Sequence, residues 1–239
     1  MRLMKRILSA AAVLALSASL LVGCSSGTAS SVPVSASSAT ESTVSSVEET
    51  ASSAVDENEA AAAQLLNDLT GSYQELWPVI LADEYKQTWL DVCTALVGED
   101  NAEAAFEKLS SMVTGDVYGE DAVEAYANGG GAYFCGFTNS LATLTFDGET
   151  STISGTDKDG NVLFSHTYHY IGMEPVHGLY EFESDDADSG EFTYFFLAPD
   201  TSAETYHIEF RYGSDAEALS QYDAGEYAYW VASGISTDC

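Results

Sequence analysis

Positive charge is nearly missing from this sequence. Its 239 residues carry 7 Lys+Arg against 38 Asp+Glu, a formal net charge of −31. A chain this acidic repels phosphate backbones, which excludes sequence-general nucleic-acid binding. An anionic lipid surface repels it too, so membrane attachment must come from something other than charge. Histidine and cysteine are scarce, at 4 each, and no CxxC or Cys/His spacing suggests a thiolate metal site. Catalytic signatures are missing as well: there is no GxSxG, phosphate loop, HExxH or Cys/His pair in an activating context. The chain therefore reads as a non-enzyme. Carboxylates are so common that two neighbouring ones say almost nothing about acid–base work. Apolar residues are plentiful at 46%, with 14 Tyr, 10 Phe and 3 Trp. That supply builds a real core for one medium domain or two small ones.

The few bases are unevenly placed. Arg2, Lys5 and Arg6 precede an apolar stretch from Ile7 to Val22, the pattern of a secretory signal too short to span a bilayer. It closes on Leu21-Val22-Gly23-Cys24, which resembles the bacterial lipobox. That resemblance implies a signal peptide over residues 1–23 and a lipidated Cys24. Without the three N-terminal bases, 4 Lys+Arg face 38 acids, a net charge of −34. Acyl chains contribute about 0.8 kcal/mol per buried CH₂ and hold a protein on a membrane without help from charge. Sixteen of the 31 residues from 25 to 55 are Ser or Thr. With no aromatics to bury, residues 24–55 read as a lipidated cysteine followed by a disordered tether. The protein is thus expected to be extracytoplasmic, lipid-anchored to the bacterial cell membrane.

Residues 56–239 form the globular body. Tyr73, Leu76, Trp77, Ile80 and Leu81 follow the spacing of one helix face, with Ser72 and Glu75 as a capping box. Tyr85, Trp89, Val92, Cys93 and Leu96 make a second helical stripe, and Ala102–Met112 a third helix. A Trp at helical spacing is read as core. Beyond Gly129-Gly130-Gly131 the period changes to two. Eight strands are expected: 132–137, 141–146, 150–154, 162–171, 179–183, 191–197, 205–212 and 226–231, with a turn at 157–161 and a short helix at 214–221. Helices followed by strands without alternation indicate an α+β class, with N-terminal helices preceding a mainly antiparallel barrel or sandwich. Of the remaining cysteines, Cys93, Cys135 and Cys239, the odd count in an oxidising compartment allows a Cys93–Cys135 disulfide. A plain core thiol is the other reading of Cys93.

The most informative stretch is DTSAETYHIEFRYG, residues 200–213. In a strand, His207, Glu209 and Arg211 share one face, while Tyr206, Ile208, Phe210 and Tyr212 form an apolar wall on the other. An imidazole and a carboxylate two residues apart are close enough to share a cation. Asp200, across a short loop, would complete a three-ligand set with water in the open positions. The competing reading pairs Glu209 with Arg211 or with a cross-strand neighbour. His166 and His169 lie three apart on one strand, on opposite faces, and cannot share an ion. His177 is a supplementary ligand or surface. The acid run Glu181, Glu183, Asp185, Asp186 and Asp188 lacks the order of a calcium loop and reads as a solvated turn.

At these residues the chain resembles the ZinT family, whose calycin-like, lipocalin-related domain also ends some streptococcal-type zinc-uptake lipoproteins. LTGSYQELWPVIL at 69–81 resembles the family's opening motif, and HTYHYIG at 166–172 the strand before its central hairpin. GEFTYFF at 190–196 is similar to the strand leading into its metal loop. HIEFRYGSD at 207–215 resembles its HxHxxxG strand, and GEYAYWVASGI at 225–235 its closing segment. The resemblance covers about residues 60–236. It implies a calycin-like β-barrel and three zinc-binding histidines, two from HxH and one from the preceding loop. His207 matches the first, Glu209 stands at the second, and the loop position falls near Asp200. Two carboxylates in place of imidazoles move the set toward harder ions. The functional expectation is binding of zinc or another divalent cation in support of a metal-uptake transporter system. Because only neutral imidazole ligates, binding is expected to weaken below about pH 6. The alternative is a metal-free calycin-like module for a small molecule, glycan or protein, whose pocket the aromatic supply would suit.

Overall fold

The computed structural model describes residues 45–115, 117–131, 133–199 and 206–238, with side chains from Glu57 onward. The signal segment 1–23, Cys24, Asp200 and Cys239 lie outside the described residues, as does most of the tether. Helix α1, Ser45–Asp68, begins inside the stretch read as tether. Its Ala62, Leu65 and Leu66, with Leu69 in the turn just after it, recur at helical spacing and pack into the main core.

Eight antiparallel strands close into a barrel in sequence order: β1 (Gly71–Glu75), β2 (Thr143–Asp147), β3 (Thr152–Thr156), β4 (Val162–Met173), β5 (Tyr180–Ser184), β6 (Tyr194–Leu197), β7 (His207–Gly213) and β8 (Ala232–Ser236). This is an α+β molecule with an up-and-down barrel, the architecture of the calycin expectation. Strand β1 closes the ring by pairing on both sides, Tyr73 opposite Leu144 of β2 and Ser236 of β8. Closure leaves no open sheet edge to template aggregation. Tyr73, Leu144, Phe146, Ile153, Phe164, Tyr168, Phe182, Phe195, Ile208, Phe210 and Tyr212 fill the interior. Gly148 is required at the β2–β3 turn, since a Cβ there would lie 2.4 Å from Asn67 Cα and hold α1 off the barrel.

A second apolar layer covers the outer face of the barrel around β8. It joins Leu76, Trp77 and Ile80 of α2 (Leu76–Ile80), Trp89 of α3 (Lys86–Val97) and Val113 of α4 (Glu99–Val113) to Cys135, Tyr206 and Ile235. Trp89 is fully buried and donates its indole N–H to Ile80 O at 2.7 Å. The tryptophan is core, as its spacing implied.

Three elements differ from the periodicity reading. Residues 71–75 are strand, so Ser72 and Glu75 are not a capping box. Ser72 Oγ lies 2.8 Å from Thr145 Oγ1, and Glu75 accepts the Phe137 N–H at 2.6 Å. Residues around Phe134 form isolated bridges to Thr114 and Trp230 instead of a barrel strand. The last strand is β8 at 232–236, not 226–231. A further helix, α5 (Glu120–Ala127), lies where no regular element was expected. Among the described residues, Cys93 and Cys135 are both free and buried, so the disulfide the count allowed is not formed.

Candidate functional site on the outer face of β7

Strand β7 is buried along its length except at Glu209. Ile208, Phe210 and Tyr212 point into the barrel, as the alternation required. His207, Glu209 and Arg211 therefore lie on the outer face. His207 Nε2 is 3.4 Å from Glu209 Oε1, with side chains 8% and 46% exposed respectively. The imidazole is sheltered and the carboxylate reaches solvent, an arrangement that presents one fixed and one accessible donor. Opposite Glu209 stands Ser233 of β8, also buried, whose N–H donates to Cys135 O at 3.0 Å. Burial, with the charge of Glu209 adding to it, pushes the Cys135 thiol up to about 12.

Arg211 does not serve Glu209. It is completely buried, donates from Nη1 to Leu219 O and from Nη2 to Tyr227 O, and lies 4.2 Å over the Tyr222 ring. Burial drives its pKa down, opposed by Tyr222, Tyr133 and Glu174. The guanidinium pins the 214–231 connection onto β7. Within that connection a short helix, α6 (Ala216–Leu219), is capped by the Asp215 carboxylate accepting from Ala218 N at 3.0 Å. A close approach at Gly213 makes the pinning tight: a Cβ there would meet Tyr227 Oη at 2.5 Å. The pairing of Glu209 with Arg211 is thus replaced by a guanidinium committed to backbone carbonyls, and the Glu209 carboxylate faces His207.

The other histidines are paired with acids away from β7. His166 Nδ1 lies 2.8 Å from Asp186 Oδ2, and His169 Nδ1 lies 2.7 Å from Asp185 Oδ1. They hold adjacent acids of one turn, in keeping with their opposite faces. The acid run is therefore more than a solvated turn: two of its members are bonded to imidazoles. His177 Nδ1 is 3.3 Å from the buried Glu174 carboxylate, and its ring lies 3.7 Å from that of Tyr222. It is a packing partner of the Arg211 region, not an addition to the His207 set. Among the described residues, no group of three His, Cys, Asp or Glu is placed to share an ion. Asp200, the third proposed ligand, lies outside them.

Sequence alternation placed Tyr206 on the apolar face with Ile208, Phe210 and Tyr212. The structure puts it in the outer layer with Trp77 and Ile235, its ring 4.8 Å from the His207 ring. The reason is a left-handed backbone at Tyr206, with φ of 63°, which breaks strand alternation just before β7 begins. No composition or spacing signal marks such a residue in advance. No helix among the described residues is long and apolar enough to cross a membrane.

No family model matches the chain, and no curated protein does. Among solved structures it is similar to Zn(II)-bound AdcA from Streptococcus pneumoniae, at 17% identity and a TM-score of 0.45 over 73% of this chain. It is similar also to the Zn(II)-bound ZinT-like domain of Streptococcus pneumoniae AdcA, at 16% identity and a TM-score of 0.45, covering 73% of this chain and 83% of that one. The match spans 32% of the AdcA chain in the first case, about a third of its length.

Proposed function

We propose that this protein binds a divalent cation, zinc foremost, at His207 and Glu209 on the outer face of β7. The observation that carries the reading is the 3.4 Å separation of His207 Nε2 and Glu209 Oε1. Zinc takes nitrogen and oxygen donors at about 2.0–2.2 Å, so two donors on one tetrahedral edge stand about 3.3–3.5 Å apart. The pair is already spaced for that edge. Asp200 is the proposed third donor and water completes the shell. A site with two or three protein donors and open positions suits a cargo ion that must also be released, and the acidic surface concentrates cations near it. The chain acts in this reading as a binder, not an enzyme, held outside the membrane through lipid at Cys24 and handing metal to an uptake system. The N-terminal sequence supports that placement.

Isothermal titration of zinc into protein purified without chelator or affinity tag is expected to show about one site. His207→Ala should weaken it at least tenfold, the scale of losing one ligand or its support. Unchanged affinity in that variant refutes the assignment. A wild-type protein that takes up no zinc, cobalt or manganese would leave the metal-free binding module as the better description.

A further inference from the structure

Tyr206 adopts a conformation that side chains other than glycine seldom hold, with φ of 63°. It is 5% exposed, packed among Leu76, Trp77, Ile80, Trp89 and Ile235. In a regular strand, residues 206 and 207 would point to opposite faces. The left-handed backbone instead brings both rings to the outer face, 4.8 Å apart and inclined at 53°. His207 thus has the tyrosine ring 4.8 Å from its own ring and Glu209 Oε1 3.4 Å from its Nε2. His207 also pairs across the strands with Ile235, a member of the same apolar layer as Tyr206. A conformation this costly persists only where the surroundings over-determine it. Here they do so through a ring wedged into a helix-covered layer.

From this geometry we infer that Tyr206 is a positioning residue for the His207 imidazole. Its ring restricts the rotamer of His207 so that Nε2 faces Glu209 before any ion arrives. The inference rests on the reading of His207 as a metal donor. It goes beyond that reading by naming the residue that sets the donor's direction. The aromatic ring is the group that faces the imidazole, and the left-handed backbone is the means by which it is delivered.

The experiment has two arms on the full-length chain. In the metal-free protein, NMR should show cross-peaks between the Tyr206 ring and the His207 imidazole, with upfield ring-current shifts of the imidazole protons. Their absence overturns the contact, whatever the protein binds. In the second arm, zinc affinity is measured by titration for three variants. Tyr206→Phe keeps the ring and should bind within about twofold of wild type. Tyr206→Leu and Tyr206→Gly lose the ring and should bind about 10–100-fold more weakly, as removal of a supporting residue around a ligand does. Glycine relieves the left-handed strain, so a weakened Tyr206→Gly separates ring from backbone, and it serves where the leucine variant fails to fold. A folded ring-less variant with wild-type affinity refutes the positioning role. Zinc binding absent from wild type while the cross-peaks are present refutes the metal reading and, with it, the role of Tyr206 toward a metal.

Discussion

Replacing Arg211 by methionine tests how the site strand is held. The side chain is fully buried, and both terminal nitrogens donate to carbonyls, of Leu219 and Tyr227. Methionine keeps most of the stem volume and removes the desolvation of a buried charge, which by itself is stabilising by several kcal/mol. Against this, two buried carbonyls lose their donor at about 1–3 kcal/mol each. The stack on Tyr222 is worth about 2 kcal/mol when desolvated, and the buried Glu174 carboxylate loses a nearby cation. The losses exceed the gain, and Arg211→Met is expected to destabilise by roughly 2–4 kcal/mol. For a domain of this size each kcal/mol moves the melting temperature by about 2–4 °C, so the fall should be roughly 4–16 °C. Urea unfolding followed by tryptophan fluorescence measures it well, because Trp77, Trp89 and Trp230 are all buried. The midpoint should drop at constant slope. A double-mutant cycle then separates partners. Arg211→Met with Glu209→Gln should be additive within about 0.5 kcal/mol, whereas Arg211→Met with Glu174→Gln should couple by about 1 kcal/mol or more. An unchanged or raised midpoint, or coupling to Glu209 larger than to Glu174, would refute the reasoning.

Two further outcomes follow from titratable groups whose pKa values burial raises. Burial first, and the Glu174 carboxylate second, raise the pKa of Glu181, so the folded state holds that proton more readily than the unfolded one. Stability from this group therefore rises as pH falls through the window above the ordinary carboxyl value of 4.5. Glu181→Gln should flatten that slope and stabilise the protein slightly at pH 7. Urea midpoints between pH 7 and pH 4.5 check the sign, and a steeper slope in the variant would be the wrong result. The Cys135 thiol, pushed up to about 12 by burial and then by Glu209, should stay unlabelled by a disulfide reagent at pH 8 until the protein unfolds. Rapid labelling in native buffer would show that the layer over β8 opens.

What could be read from the chain, and what could not, divides along a physical line. Alternation over residues 207–212 predicted the two faces of β7, because a central barrel strand has neighbours on both sides and period two is imposed by geometry. The same logic failed one residue earlier at Tyr206, where a positive φ interrupts the period. It failed again at residues 71–75, whose pattern also satisfies a helix face. Five residues do not distinguish the two periods, and what makes them strand is pairing with β2 and β8, whose partners Leu144 and Ser236 lie 71 and 163 residues beyond Tyr73 in the chain. Arg211 shows the same limit in chemistry. Its nearest opposite charge in sequence is Glu209, yet its partners are carbonyls at 219 and 227, groups that every residue carries and no sequence pattern marks. That choice has a consequence for the site. A guanidinium whose two terminal nitrogens are taken by backbone oxygens leaves the Glu209 carboxylate uncommitted to it, so the acid beside His207 remains able to take a cation.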